Sequence, residues 1–318
     1  MLQPDGYTFP LADGIQRESV HYQNRYGIDI AADLYTTADL DRNTTHPAIV
    51  AGPPHGGVKE QSPGVYANEL AQRGFVVLAF DPSFNGESGG QPRHVTSPEI
   101  FAEDFSAGVD YLGTLDFIDR GRIGALGICG SGGFALSAAS VDQRIAAVAT
   151  SAMYDISGVA AEGWQHSADD GTRRAALAEY SEQRWLDVDA GKPALEPTFP
   201  ADIPDDADPI AREFFEYYVP SRNRGWHPRS IGGFTLTSAG AHIGFGSLRN
   251  LADIAPRPIL LITGKRAHSR YLSEDVVTKT DGHARLLVVP GARHIDLYDR
   301  TDLIPFDKLG EFFATALQ

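Results

Sequence analysis

A chain of 318 residues, 42% of them hydrophobic, can bury the core of one large α/β domain, with or without an insertion. Its formal charge of -15 argues against nucleic acid, whose phosphates require clustered Lys and Arg, and acidic pairs such as Asp169-Asp170 and Asp205-Asp206 read as solvated surface. One cysteine excludes an intramolecular disulfide and a multi-cysteine metal site, no run has the length of a membrane span, and Met1-Leu-Gln-Pro-Asp opens no signal peptide, so a cytoplasmic protein with a reduced thiol and no membrane contact is expected.

In chain order, apolar alternation predicts strands over Glu18 to Tyr22 and Ile28 to Tyr35, then a strand from Pro47 that ends in Pro-Pro-His55-Gly56-Gly57. A helix over Val65 to Arg73 leads to a buried-type strand, Phe75 to Phe80, and a turn-rich loop from Asp81. A helix over Ile100 to Leu115 precedes the strand Ile123 to Ile128, and Arg144 to Ser151 is a further strand. This alternation predicts a mainly parallel, doubly wound sheet covered on both faces. The rhythm fails from about Asp155 to Leu251, where helix-like segments (Arg173 to Trp185, Pro209 to Tyr218) flank a Pro/Asp-rich stretch. So long a segment between strands reads as an inserted helical cap, residues 155–251, on a core of residues 1–154 and 252–318. The strand Pro258 to Gly264, a helix opening at Ser273 with Glu274 and Asp275 in its first turn, the strand Arg285 to Val289 and a terminal helix over Pro305 to Leu317 complete the core.

Residues 122 to 134, Arg-Ile-Gly-Ala-Leu-Gly-Ile-Cys-Gly-Ser-Gly-Gly-Phe, read as strand, sharp turn, helix. A turn that crowds one reactive side chain into a strained corner needs small residues two before and two after it. Gly127, Cys129 and Ser131 satisfy that spacing with Cys129 at the apex; a second register places Ser131 at the apex between Cys129 and Gly133. The glycines after His55 allow main-chain N–H groups to face a ligand, so Gly57 and Gly130 are the candidate oxyanion-hole donors, with His55 beside them. His294, on a Gly-containing loop after the last strand, is the candidate base. Phe214, Tyr218 and Trp226, with Phe215, Tyr217 and Phe234, are candidates to line an acyl pocket or to form the cap's own core.

The sequence resembles the α/β-hydrolase superfamily over nearly its whole length, through Gly127-Ile-Cys-Gly-Ser-Gly-Gly, His55-Gly-Gly and Gly291-Ala-Arg-His294. A cysteine at the apex resembles dienelactone hydrolases, and Lys265-Arg-Ala-His-Ser-Arg-Tyr-Leu-Ser-Glu-Asp with His294-Ile-Asp-Leu-Tyr-Asp-Arg looks like a subgroup of uncharacterised bacterial hydrolases and fungal polyketide transferases. The resemblance implies ester, lactone or thioester acyl chemistry on a small-molecule substrate, with no cofactor and no metal. Members often carry the triad acid three residues past the glycine that ends the penultimate strand, and here Ala267 stands there. Glu274 is therefore the expected acid, Asp275 its alternate and Asp296 a further one. Glu60 is expected either near the thiol or on the surface.

These residues define an acyl-enzyme route released by water or by an acceptor alcohol, which makes hydrolysis and acyl transfer both expectations. A non-catalytic ligand-binding protein on the same fold is the third, and a homodimer is an expected form of association.

Overall fold

The structure is a computed structural model and describes residues 2–318. Strand β1 (Ile15–Gln23), whose burial alternates along its length as in an edge strand, forms an antiparallel hairpin with β2 (Asp29–Thr37). Strands β3 (His46–Gly52), β4 (Val76–Phe80), β5 (Ile118–Ile128), β6 (Ile145–Ser151), β7 (Ile259–Gly264) and the half-buried edge strand β8 (Arg285–Val289) extend it into one sheet, in the order β1-β2-β4-β3-β5-β6-β7-β8. β2 meets β4 antiparallel, and all pairings beyond are parallel.

The period of two along the strands sorts their side chains onto two cores. Ile49, Ala51, Val77, Ala79, Leu126 and Ile128 pack with α1 (Ser62–Ala71) and α10 (Phe306–Ala316). Ala48, Val50, Val76, Leu78 and Ala125 pack with α2 (Pro98–Leu112) and α3 (Ser131–Val141). Each buried Leu, Ile or Val contributes about 2 kcal/mol, so strands clamped from both faces give the loops at their ends a rigid base.

Between β6 and β7 the chain passes through α4 (Ile156–Glu162), α5 (Asp170–Ala190), α6 (Pro209–Tyr218) and α7 (Ser238–Gly244) without adding a strand to the sheet. Helix α6 starts where Asp208 accepts from the N–H groups of Ile210 and Ala211, with Pro209 as first helical residue. After β7 comes α8 (Arg270–Lys279), and after β8 the single turn α9 (Asp296–Asp299). Helix α8 therefore begins a turn before the expected Ser273, which corrects the predicted boundary. Ser273 is buried inside the helix with no partner for its hydroxyl, and Ser269 holds the N-cap position. Among the described residues no helix is long and apolar enough to cross a membrane.

β3 lies between β4 and β5, so the chain leaves it in one direction and returns on its other side. The carboxyl ends of β3 and β5 flank that reversal of winding, the place where open parallel sheets form crevices for ligands. The loops after β7 and β8 emerge on the same edge, because those strands run parallel to β5.

Candidate active site

Cys129 stands between β5 and α3 with φ +54°, a conformation that costs a non-glycine residue about 1–3 kcal/mol and that the surrounding bonds enforce. Its N–H donates to Ser151 O (2.9 Å), while its carbonyl accepts from Gly132 N (2.8 Å) and Tyr154 N (2.8 Å). A Cβ on Gly127 would lie 2.1 Å from Ser131 O, and one on Gly130 would lie 2.9 Å from His55 Cβ. The small-residue rule that located the turn is thus a statement of clearance. Gly127→Ala is expected to destabilise the fold by more than about 3 kcal/mol, read by denaturant unfolding; a change below about 1 kcal/mol would show that the turn can relax.

Ser131 points elsewhere. Its hydroxyl lies against β3, where a Cβ on Gly52 would come within 2.8 Å of it. The groups that favour the Cys129 thiolate are the main-chain N–H groups of His55 and Gly130 and the Tyr298 hydroxyl. The expected donor Gly57 is corrected by this geometry, since its N–H is held by Pro54 O (2.7 Å) in a closed turn, leaving His55 N–H as the group that faces the sulfur.

The His55 side chain is held by a polar chain that runs into the helical insertion. His55 Nε2 is 2.7 Å from Thr96 Oγ1, Thr96 Oγ1 is 2.9 Å from His242 Nε2, and His242 Nδ1 is 3.0 Å from Ser157 Oγ. Phe234 covers the His55 ring at 4.1 Å between centroids. Burial pushes His242 down to about 4. Between the ordinary histidine range and that value the unfolded chain binds a proton that the folded chain refuses, so this histidine's contribution, about 3 kcal/mol, is present above about pH 6.5 and is lost as pH falls toward 4. The stability gap between wild type and His242→Gln is therefore expected to narrow over that window in denaturant titrations; a gap constant with pH would contradict a neutral buried His242.

His294, fully buried, follows β8. Its Nδ1 is 2.6 Å from Ser269 Oγ and its Nε2 is 3.1 Å from the Tyr298 hydroxyl. One face stacks on His268, with centroids 4.8 Å apart and planes at 29°, and Phe214 abuts it at 5.4 Å. Ser269 at the start of α8 thus holds the ring nitrogen that a triad carboxylate would hold, and makes no side-chain cap to its own helix.

The expected acids lie elsewhere, and each has another partner. Glu274 is paired with Arg270 (2.7 Å) on the outer part of α8, Asp275 bonds His166 Nε2 (2.9 Å), and Asp296 holds Arg293 (3.2 Å). One turn of helix explains the miss: with α8 starting at Arg270, both Glu274 and Asp275 lie beyond its first turn. A carboxylate that sequence reasoning did not identify comes from the insertion. Glu213 of α6 accepts from Ile295 N (2.9 Å) and meets His268 Nδ1 at 3.4 Å. Burial works against its ionisation, but those two partners outweigh it and hold the carboxyl below its usual range. Glu60 is buried in a charge cluster with Lys59 and Arg229, and Asp81 and Glu87 also surround the Lys59 ammonium.

The proposed pocket residues divide. Phe214 touches both His268 and His294. Tyr218 is buried and stacked on Phe199 at 4.6 Å, as insertion core. Trp226 is half-buried on the loop after α6, and among the described residues no ring contact joins it to His55, His268 or His294.

Burial raises the Cys129 thiol above its usual range although the His55 and Gly130 N–H groups and the Tyr298 hydroxyl favour its thiolate, and burial with the neighbouring His268 pushes His294 well below its own. The resting pair is thus a neutral thiol and a neutral imidazole, the form that can take up a proton. Cys129 is 4% exposed, and the surface clefts of about 470 and 530 Å³ beside α7 are lined by neither Cys129 nor His294.

The family model of the X-Pro dipeptidyl-peptidase (S15 family) matches residues 26–230, more than half of the chain. Uncharacterized protein PA2218 of Pseudomonas aeruginosa is 47% identical over 309 residues, which cover 96% of this chain and 82% of the relative. Its crystal structure superposes with a TM-score of 0.94 at 46% identity, over 100% of this chain and 98% of that one. The α/β hydrolase GrgF from Penicillium sp. sh18 shares the fold with a TM-score of 0.77 at 18% identity, over 95% and 99% of the two chains. A thiohydrolase of Eupenicillium brefeldianum is 29% identical over 128 residues, 40% of each chain. The chain belongs to the α/β hydrolases, in the family matched by the S15 model.

Proposed function

We propose that this protein is a thiol-dependent acyl hydrolase that cleaves a thioester or activated ester through an acyl-enzyme on Cys129. The observation that carries the reading is the convergence, at the sulfur of a strained turn residue, of two main-chain N–H donors in a site that also holds a neutral buried histidine. His294 receives the thiol proton, Cys129 Sγ attacks the substrate carbonyl, and the N–H groups of His55 and Gly130 hold the oxyanion. As the tetrahedral intermediate collapses, the imidazolium returns its proton to the leaving group; water then attacks the acyl carbon as it gives a proton to His294, and collapse of the second intermediate breaks the C–S bond and returns that proton to Cys129 Sγ. Residues 155–251 act as the cap, with Phe214 against the acyl group and Tyr218 buttressing the wall.

Leaving-group chemistry supports thioesters and activated esters. A thiolate leaves a tetrahedral carbon more readily than an amine does, so an amide adduct reverts to substrate unless its nitrogen is protonated first, whereas a thiolate or activated alkoxide leaves in competition with Cys129. The thiohydrolase likeness supports the same choice. The S15 family match favours a second reading, cleavage of a peptide bond after proline. Purified protein offered an acyl thioester, an aryl ester and an Xaa-Pro anilide is expected to turn over the first two at least about 100-fold faster. A preference for the anilide would replace this proposal with the peptidase. Transfer to an added alcohol in place of hydrolysis would make the protein an acyltransferase on the same residues.

A further inference from the structure

The base and the thiol are joined through a third residue. His294 Nε2 lies 3.1 Å from the Tyr298 hydroxyl, and the same hydroxyl is the side-chain group that acts on the ionisation of Cys129. Tyr298 lies in the single turn α9 that follows His294, and the two rings are 5.4 Å apart between centroids. The Tyr298 ring is fully buried and gripped edge-on by Tyr217 at 5.2 Å and Tyr218 at 6.3 Å, which holds the hydroxyl in place beside the imidazole. Ser269 Oγ, 2.6 Å from Nδ1, can accept its proton; in that tautomer Nε2 accepts from Tyr298 O–H and the phenol oxygen keeps a lone pair for the thiol proton.

We propose that Tyr298 is a catalytic proton relay between Cys129 and His294, resting on the reading of Cys129 as the nucleophile. The S–H proton passes to the Tyr298 oxygen as the Tyr298 proton passes to His294 Nε2. The S–H bond and the original O–H bond break, a new O–H and an N–H bond form, and the products are a thiolate, a neutral tyrosine and an imidazolium. No oxidant or co-reactant is needed. Burial and the adjoining sulfur hold the phenol well above its usual range, which keeps it protonated at rest and favours concerted transfer over a standing phenolate. The reverse shuttle, imidazolium to phenol to the site of the leaving group, protonates the departing atom.

The test is alkylation of Cys129 by iodoacetamide, followed by intact mass from about pH 5 to 10, in wild type, Tyr298→Phe, His294→Gln and the double variant. This reaction needs no acyl substrate, so it judges the relay even if every thioester and ester fails and the proposed activity falls. Near pH 7 both single variants are expected to react about 10- to 100-fold more slowly than wild type, with the double variant no slower than either, because groups in series are lost together. Their profiles are expected to rise only with ionisation of the isolated thiol. A Tyr298→Phe profile that coincides with wild type, additive losses in the double variant, or a wild-type thiol left unmodified throughout would overturn the relay. Fluorotyrosine at position 298 preserves the packing if Tyr298→Phe fails to fold; its more acidic hydroxyl is expected to displace the wild-type profile, and an undisplaced profile would again overturn the proposal.

Discussion

Cys129→Ala is expected to lower kcat/KM toward any turned-over thioester or ester by at least about 10⁴-fold, the scale seen when a hydrolase loses its nucleophile, while Ser131→Ala stays within about threefold of wild type. The asymmetry follows from where the two side chains point. Cys129 sits at the apex with φ +54° and has two main-chain donors at its sulfur, whereas Ser131 begins α3 and presses its hydroxyl against Gly52 in β3. Both ring nitrogens of His294 already have partners, and Ser131 is neither of them. Cys129→Ser is a sharper comparison, because the strained geometry and the donors persist while the more acidic thiol is gone; it is expected to retain less than about one hundredth of the activity. Loss of activity confined to Ser131→Ala would move the nucleophile two residues and undo the account.

His294→Gln is expected to cost about 10²- to 10⁴-fold in kcat, the range for a general base, while Glu274→Gln leaves kcat within about twofold. Ser269→Ala is expected to fall between them, about 10-fold, because a hydroxyl orients the imidazole but cannot compensate its positive charge as a carboxylate does. Charge compensation falls instead to Glu213, which reaches the imidazole only through the stacked His268 ring. The imidazole is neutral in the resting state, so the wild-type kcat profile should lack the acidic limb near pH 6 to 7 that an unperturbed histidine gives. A large loss in Glu274→Gln with none in Ser269→Ala would restore the carboxylate triad.

The sheet was legible because strands buried on both faces announce themselves as short apolar runs between turn residues. Arg285 to Val289 and the helix Pro209 to Tyr218 have the bounds expected from sequence. The turn at Cys129 was equally visible, since its glycines answer to local clearance that spacing alone expresses. What failed was one turn of one helix. Ser273 looked like an N-cap followed by acids, but Leu272 and Val276 form a buried pair that draws Ser273 inside, and Ser269 has given its hydroxyl to His294 and left no capping signal. The choice of Gly57 failed for a related reason: a glycine turn does not declare which N–H it turns inward, and the Pro54 carbonyl took that one. Glu213 reaches the histidine loop from α6 in the helical insertion, a contact for which no local pattern exists. Tyr298 carried a usable signal, the spacing of four from His294.

The central claim is a covalent acyl group on Cys129, and intact mass spectrometry with peptide mapping after brief exposure to an activated acyl ester tests it most directly. The expected result is a single acyl mass on the peptide that contains Cys129, labile to hydroxylamine as a thioester is, absent from Cys129→Ala and retained in Ser131→Ala. An adduct mapped to Ser131, or steady turnover that persists in Cys129→Ala, would contradict the account.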